Sequence, residues 1–262
     1  MKKNIGRKLE HLALAALVLA LLAVLLVNAT AKRDTPPETT AVTTTVTTTE
    51  PPTTEPPIDP SKPMIALTFD DGPSQYTPRV LDILERYGAR ATFCVVGERV
   101  DAGKDAVRRA SDMGCEIIGH SWSHRNLSRL KADTIQKELD DTAGAIEAAA
   151  GARPRLYRPP YGAVNQKLKD VSAALGYALV TWSVDPLDWK TRDADAVYDA
   201  VMNNASDKAI VLSHDLYETT VSAYERIIPA LIDRGYQLVT VSEMMECAGK
   251  GMEAGMVYFN GE

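Results

Sequence analysis

Beyond residue 64, short apolar runs alternate along the chain with stretches in which apolar residues recur every three or four positions. The short runs predict strands at residues 65–69, 91–96, 116–118, 156–157, 178–184, 209–212 and 237–241. The recurring stretches predict amphipathic helices over residues 80–87, 104–113, 134–149, 166–175, 194–203 and 223–234. Five of these helices are followed by a glycine, which favours the left-handed conformation at a helix C-terminus: Gly88, Gly114, Gly151, Gly176 and Gly235.

The repeated order of strand and helix, with short connections, predicts an α/β fold with parallel strands and right-handed crossovers. About seven such units fit either a closed barrel or an open, doubly wound sheet. In both architectures a ligand binds at the carboxyl ends of the strands. Reactive side chains are therefore expected directly after the predicted strands.

The N-terminal quarter lacks this alternation. Residues 1–11 form a basic flank, and residues 12–31 form an almost unbroken apolar run. This pattern predicts a transmembrane anchor, although Ala29-Thr30-Ala31 also has the form of a signal-peptide cleavage site. The first interpretation gives a single-pass membrane protein with an extracellular domain, and the second gives a protein secreted after cleavage at Ala31.

Residues 32–63 consist largely of threonine, proline and glutamate, with almost no large apolar side chain. Such a composition cannot form a core and predicts a disordered tether that holds the following domain at a distance from the membrane. The globular domain is expected to occupy residues 64–248. Residues 249–262 are assigned to a C-terminal tail, because their sequence shows no interpretable pattern.

Composition narrows the class of protein. Hydrophobic residues make up 45% of the 262 positions, which is enough for a sizeable core. The net charge of −6 argues against a nucleic-acid partner, because such a partner requires a basic surface. Three cysteines exclude a complete disulfide framework; Cys94 and Cys115 could pair, but buried free thiols are the preferred interpretation.

Five polar clusters follow the predicted strands. They are Thr68-Phe69-Asp70-Asp71-Gly72-Pro73, the pair His120 and His124, Arg158-Pro159-Pro160-Tyr161-Gly162, Asp185-Pro186-Leu187-Asp188-Trp189 and Ser213-His214-Asp215. Each cluster taken singly has a structural explanation as a turn, a rigid loop or a helix start. Their joint position at the carboxyl ends of one parallel sheet favours a single functional site.

His120 and His124 have the spacing of a metal-binding pair. On a helix, positions four residues apart share a face, so two imidazoles there can bind one ion. The pair alone is weak evidence, because structural histidines also occur at this spacing by chance. Metal binding therefore depends on whether a carboxylate from another cluster joins the histidines.

In their order along the chain, Thr-Phe-Asp-Asp-Gly-Pro, His-Ser-Trp-Ser-His, Arg-Pro-Pro-Tyr-Gly, Asp-Pro-Leu-Asp-Trp and Leu-Ser-His-Asp resemble the five motifs of the polysaccharide deacetylases. This family is also called carbohydrate esterase family 4 or the NodB-homology domain. The resemblance spans about residues 64–245 and implies a deformed (β/α)7 barrel. It also implies that Asp71, His120 and His124 bind one divalent metal ion. Zinc is expected first, and cobalt, nickel and manganese also suit nitrogen and oxygen ligands.

The resemblance implies catalytic roles for other residues. Asp70 matches the general base, and Arg158 matches the arginine that keeps this base ionised. His214 matches the general acid that an amide substrate requires, and Asp185 matches the carboxylate that pairs with it. The backbone N–H of Tyr161 matches the donor to the oxyanion.

The resemblance also implies a pocket for the acetyl group. Trp189 and Leu212 match residues that line this pocket. Pro159 and Pro160 lack an N–H and stiffen the loop that carries the oxyanion donor.

The function that these residues imply is hydrolytic, metal-dependent deacetylation of a polysaccharide. Peptidoglycan N-acetylglucosamine is the expected substrate because of the predicted tether, with acetylated xylan and chitin oligomers as alternatives. Less favoured alternatives are a glycosidase that uses Asp70 or Asp71 and a non-catalytic carbohydrate-binding module. The protein is expected to be a monomer that contacts its glycan, the membrane and no nucleic acid.

Overall fold

The computed structural model describes residues 58–261. The predicted anchor or signal sequence and most of the predicted tether lie outside this range. Within it, no helix has the length and the apolar character that crossing a membrane requires.

The described chain contains a parallel β-sheet whose strand order is β6-β1-β2-β3-β4-β5-β8, with β7 also pairing with β1. Adjacent strands run parallel throughout this sheet. The strands are β1 (Met64–Asp70), β2 (Thr92–Val95), β3 (Glu116–Gly119), β4 (Leu156–Tyr157), β5 (Ala178–Val180), β6 (Ala209–His214), β7 (Gln237–Val239) and β8 (Val257–Tyr258).

Helices connect the strands, and most of them pack on the outer face of the sheet. They are α1 (Thr77–Arg86), α2 (Gly97–Val100), α3 (Lys104–Asp112), α4 (Ala132–Ala150), α5 (Gln166–Leu175), α6 (Asp188–Thr191), α7 (Ala194–Asn204), α8 (Glu218–Asp233) and α9 (Val241–Cys247). The glycines predicted to end five helices all have positive φ, between 57° and 87°. The predicted deformed (β/α)7 barrel is confirmed.

Two links join the β5 side of the sheet to β6. At one end, Val184 forms a parallel bridge with Val211. At the other end, β8 pairs with β5, and Asn260 forms an antiparallel bridge with Ala209. The segment assigned to a tail beyond the domain therefore includes a strand of the sheet and helps to close the barrel.

Strand β1 is buried along its whole length, and its residues alternate between two hydrophobic clusters. Ile65, Leu67 and Phe69 pack in the cluster beneath the helices. Met64 and Ala66 pack in a second cluster, with residues of β3, β4 and β6. Since successive side chains of a strand point to opposite faces, Asp70 shares the face of Met64 and Ala66 and is directed into the barrel.

The cysteines form no disulfide within the described residues. Cys94 and Cys115 are both buried, which agrees with the preferred interpretation of the sequence. Burial raises the pKa of the Cys94 thiol well above its ordinary value, so this side chain remains protonated.

Candidate active site

A cavity of about 410 Å³ opens at the carboxyl ends of the strands. Nine of the residues singled out in the sequence line it: Asp70, Asp71, His120, His124, Tyr161, Asp185, Trp189, Leu212 and His214. Two aromatic residues that were not predicted, Trp182 and Tyr217, complete the wall. The remaining predicted residues, Arg158, Pro159 and Pro160, are buried.

Asp70 ends β1 and is 2% exposed. Its Oδ1 accepts a hydrogen bond from Arg158 Nη1 at 2.7 Å, and Arg158 is completely buried. Burial alone would raise the pKa of Asp70, but Arg158, followed by His120 and His214, lowers it overall. Asp70 is therefore ionised at neutral pH.

Arg158 is held in turn by the barrel. The same Nη1 donates to the Thr68 hydroxyl, and Nη2 donates to the carbonyl of Thr181 at 2.9 Å. Thr68 lies two residues before Asp70 on the same face of β1, so one strand presents two acceptors to one guanidinium. The base and its partner are thus fixed by strand geometry.

Asp71, His120 and His124 offer three ligand atoms that lie within 4.8 Å of one another. Asp71 Oδ1 is 3.0 Å from His124 Nε2 and 3.3 Å from His120 Nε2. Burial raises the pKa of Asp71, but the two imidazoles lower it well below its ordinary range, so a carboxylate is present at neutral pH.

These three residues fit a divalent metal ion. His120 Nδ1 is 2.6 Å from the carbonyl oxygen of Arg158, so Nδ1 carries a proton and Nε2 is the ring nitrogen that can bind an ion once it is deprotonated. The lone pair of Nε2 then faces Asp71 Oδ1, a buried oxygen for which the described residues provide no well-formed hydrogen bond. Electron pairs that converge in this way suit a cation, and a mixed nitrogen and oxygen set suits zinc or cobalt.

The two histidines lie on the loop after β3 and not on a helix, so a helical face does not bring them together. Ser121 and His124 have φ values of 63° and 54°, in the left-handed region. Asp71, the first residue after β1, has a φ of 70°. Left-handed conformations are unfavourable for residues other than glycine and often occur at functional sites.

The loop that carries Asp71 rests on Asp215. The Thr77 hydroxyl donates a hydrogen bond to the Asp215 carboxylate, and the Ser74 hydroxyl donates to the Asp215 carbonyl. A Cβ at position 72 would lie 2.6 Å from Asp215 Oδ1, so this close approach requires glycine. Burial raises the pKa of Asp215 to about 7.

The predicted pairing of His214 with Asp185 is wrong, because Asp188 occupies that position. Asp188 Oδ1 is 2.8 Å from His214 Nδ1, and Asp188 Oδ2 accepts from the His214 backbone N–H and the Thr220 hydroxyl, each at 2.8 Å. Leu187, with a φ of 57°, turns the chain so that Asp188 begins α6 and is fully buried. Asp185 stays exposed and accepts from the Leu187 backbone N–H.

His214 is charged at neutral pH. Burial lowers its pKa, but the hydrogen bond and the negative charge of Asp188 outweigh this effect and raise the pKa to about 9. With Nδ1 bound to Asp188, the remaining ring nitrogen, Nε2, is available to a molecule in the cavity.

Tyr161 lies in a short 3₁₀ turn, Pro160–Gly162, with a φ of 64°. Its side chain is 67% exposed and forms an edge contact with the His124 ring. Pro159 and Pro160 precede it and remove two backbone donors from the loop. Trp189, 47% exposed, and Leu212, which is buried, lie on the apolar part of the wall.

The family model for polysaccharide deacetylases matches residues 58–180. A Bacillus cereus peptidoglycan-N-acetylglucosamine deacetylase is 37% identical over 188 residues, which cover 70% of this chain and 88% of that protein. The chain belongs to the polysaccharide deacetylase family. The geometry of Asp71, His120 and His124 is thus found in a deacetylase domain.

Two further proteins are similar to this chain in sequence and structure. Bacillus subtilis PdaC, a peptidoglycan-N-acetylmuramic acid deacetylase, is 44% identical over 190 residues, or 72% of this chain and 40% of PdaC. The solved PdaC structure superposes with a TM-score of 0.71 and 43% identity, covering 73% of this chain and 94% of the PdaC chain in that structure. The chain therefore spans about two fifths of the length of PdaC.

The second is a family 4 acetyl xylan esterase from Clostridium thermocellum, whose structure contains a cobalt ion. It is 35% identical, with a TM-score of 0.71, covering 75% of this chain and 98% of the esterase.

Proposed function

We propose that the chain hydrolyses the N-acetyl group of N-acetylglucosamine residues in peptidoglycan. The observation that carries this proposal is one cavity lined by the Asp71, His120 and His124 set, the ionised carboxylate Asp70 and the charged imidazole His214. These are the groups that amide hydrolysis needs in one place: a ligand set, a base and an acid.

Asp71, His120 and His124 would bind one divalent ion, with zinc as the first choice. Lewis acidity toward the acetyl carbonyl oxygen and toward water is the chemistry that such an ion supplies. Asp70 accepts the proton of the attacking water, because Arg158 keeps its carboxylate ionised and oriented. The Tyr161 N–H donates a hydrogen bond to the oxyanion that forms.

The leaving group decides between an amide and an ester substrate. An amine must be protonated as it departs, whereas an alkoxide makes a weaker demand for an acid. A histidine with a pKa of about 9 holds that proton at neutral pH. This favours N-deacetylation over the O-deacetylation of xylan, even though an acetyl xylan esterase is among the similar structures.

A glycosidase needs a carboxyl group whose raised pKa allows it to donate a proton. Asp70 and Asp71 both have lowered pKa values, so neither suits that role. A binding module would not require the pairing of His214 with Asp188. Neither alternative gives a role to both the Asp70 and Asp71 carboxylates and the His214 and Asp188 pair.

The substrate proposal is supported by the relatives, which deacetylate N-acetylglucosamine or N-acetylmuramic acid of peptidoglycan according to their names. The full-length chain, supplied with zinc or cobalt, should release acetate from peptidoglycan in preference to chitooligosaccharides or acetylxylan. Asp70→Asn should lose turnover while still binding metal. Near-normal acetate release by Asp70→Asn would contradict the mechanism, and preferential release from acetylxylan would contradict the substrate.

We also infer that residues 12–31 remain as a membrane anchor and that the deacetylase domain faces outward. The basic flank and the length of the apolar run support this inference. When expressing cells are fractionated, the membrane fraction should contain the protein with the mass of the uncleaved chain. A soluble chain in the medium that begins after Ala31 would instead support cleavage.

A further inference from the structure

The loop from His120 to His124 adopts a conformation that its own residues do not favour. Ser121 and His124 both have positive φ, although neither is glycine. Such a backbone persists only where surrounding contacts hold it. The contacts of this loop therefore determine where the two imidazoles lie.

The first half of the loop is tied to the barrel and to α2. His120 Nδ1 donates to the Arg158 carbonyl at 2.6 Å. The backbone N–H groups of Gly97 and Glu98 donate to the carbonyls of Ser121 and Trp122, each at 3.0 Å. His120 is thus held by the sheet and by neighbouring backbone.

The second half of the loop is held by Glu138 on α4 and, through a longer hydrogen bond, by the Tyr161 hydroxyl, which donates to the His124 carbonyl at 3.4 Å. Glu138 Oε2 accepts from the Ser123 backbone N–H at 2.9 Å, and Oε1 accepts from the Ser123 hydroxyl at 2.8 Å. Arg125 Nη1 lies 3.7 Å from the same Oε1. The Glu138 bonds flank His124, whose ring contacts Asp71 and the rings of His120 and Tyr161.

Burial of the Glu138 carboxylate would by itself destabilise the fold. It is 6% exposed and lies on the apolar face of α4, beside Leu139 and one turn from Ile135 and Thr142, all of which are buried. A buried carboxylate is tolerated only when hydrogen bonds compensate its loss of hydration. Within residues 58–261, the Glu138 carboxylate accepts its side-chain hydrogen bonds from Ser123 and lies 3.7 Å from Arg125, the residue directly after His124.

We propose that Glu138 is a positioning residue for the metal site. Glu138 holds the loop so that His124 Nε2 faces Asp71 before an ion binds. The proposal rests on the metal site of the proposed function and adds a determinant of its affinity. Removing Glu138 releases Ser123, and the loop can then relax from its left-handed conformation. Part of the binding free energy of the ion is then used to order the loop, so the affinity of the site for the ion falls.

The test is a titration of the metal-free, full-length chain with Co²⁺ in competition with a chromophoric chelator, followed by thermal unfolding of the same metal-free samples. Glu138→Ala should raise the Kd for Co²⁺ by about tenfold, which is in the range seen when groups that orient metal ligands are removed. Ser123→Ala, which loses the hydroxyl but keeps the backbone N–H, should give a smaller loss. The visible spectrum of bound Co²⁺ should also change in Glu138→Ala.

Ile146→Val is the matched control for stability, because Ile146 is buried on the same helix, two turns from Glu138, and contacts the hydrophobic core. It should lower the unfolding temperature and leave the Kd unchanged. If Glu138→Ala fails to fold, Glu138→Gln and Ser123→Ala carry the same comparison.

An unchanged Kd in these variants, with a lowered unfolding temperature, would overturn the proposal and leave Glu138 a structural residue. Absence of Co²⁺ binding by the wild-type chain would overturn it as well. Since the readout is metal affinity, a chain that binds Co²⁺ but releases no acetate would refute the proposed function and not the role of Glu138.

Discussion

His214 is charged at neutral pH because of one buried carboxylate, Asp188. The carboxylate accepts four hydrogen bonds, from the ring and the backbone of His214, from Thr220 and from its own neighbour Trp189. Its charge and position are therefore well defined. A histidine in such a pair can act as an acid over the whole range below its pKa.

Asp188→Asn should move the alkaline limit of the activity toward lower pH. His214 must be protonated to donate, so the rate falls as pH rises through its pKa, which is about 9 in the native protein. Without the Asp188 carboxylate, nothing of comparable strength opposes the effect of burial, which lowers the pKa of His214. The alkaline limb of the plot of kcat against pH should therefore shift down by roughly 1–2 pH units. Asp185→Asn is the matched control, and an equal shift in that variant would restore the pairing predicted from sequence.

His124→Ala and His214→Ala should differ in their response to metal. His124 is a candidate ligand, so its loss should lower metal content, and excess Co²⁺ should recover part of the acetate release. His214→Ala should keep its metal and lose roughly 10²- to 10⁴-fold in kcat, as expected for a missing general acid. Recovery of His214→Ala by added metal would contradict this division of roles.

At the scale of elements, strands β3 and β4 approach closely where the histidine loop begins. A Cβ on Gly119 would lie 2.1 Å from Cε1 of the Tyr157 ring. Tyr157 is itself fixed, because its hydroxyl donates to the Leu139 carbonyl on α4 at 2.6 Å. The glycine therefore lets β3, β4 and α4 pack together directly beneath His120.

Two glycine-to-alanine variants should have opposite effects on stability. Gly119→Ala forces Tyr157 to move and should cost about 1–3 kcal/mol of unfolding free energy. Gly144→Ala, inside α4 where nothing lies within 4 Å of a new Cβ, should add about 0.5–1 kcal/mol. Urea unfolding of both variants measures the difference; equal effects would show that the approach of Tyr157 is not tight.

At the scale of the whole molecule, the last residues complete the barrel. Leu179 N–H donates to the Met256 carbonyl at 2.8 Å, and Thr181 N–H donates to the Tyr258 carbonyl at 2.7 Å. Gly261 N–H donates to the Lys208 carbonyl at 3.0 Å, just before β6. This segment thus joins β5 to the start of β6. The chain beyond the carboxyl ends of these two strands carries Asp185 and His214.

Deletion of residues 255–262 should therefore destabilise the domain. At least five backbone hydrogen bonds would be lost, including the one from Gly255 N–H to the Tyr177 carbonyl and the one from Met256 N–H to the Glu253 carbonyl. At about 1 kcal/mol each they predict a loss of roughly 3–5 kcal/mol, measurable by chemical unfolding. Phe259→Ser, which alters an exposed residue of the same segment, is the control and should have little effect. An unchanged stability after deletion would show that the barrel closes without β8.

The chain sequence by itself determined the order of seven strands and six helices, because hydrophobic periodicity is a local property of each segment. It missed the short helices α2, α6 and α9. The motifs placed Asp70, Asp71, His120, His124 and His214 at strand ends, where parallel topology brings them to one rim. The preference for a barrel came from the resemblance to the deacetylase family. Strand β8 had no usable pattern, since two residues are too few for a periodicity.

Only the tertiary structure decided which aspartate serves His214 and what holds the histidine loop. Asp185 and Asp188 stand three residues apart in one motif, and the left-handed turn at Leu187 sends one to solvent and the other against β6 and α8. Glu138 is one of many glutamates in the sequence until α4 packs against the loop. Both outcomes depend on contacts between residues that are distant in the chain, and local sequence patterns do not contain such contacts.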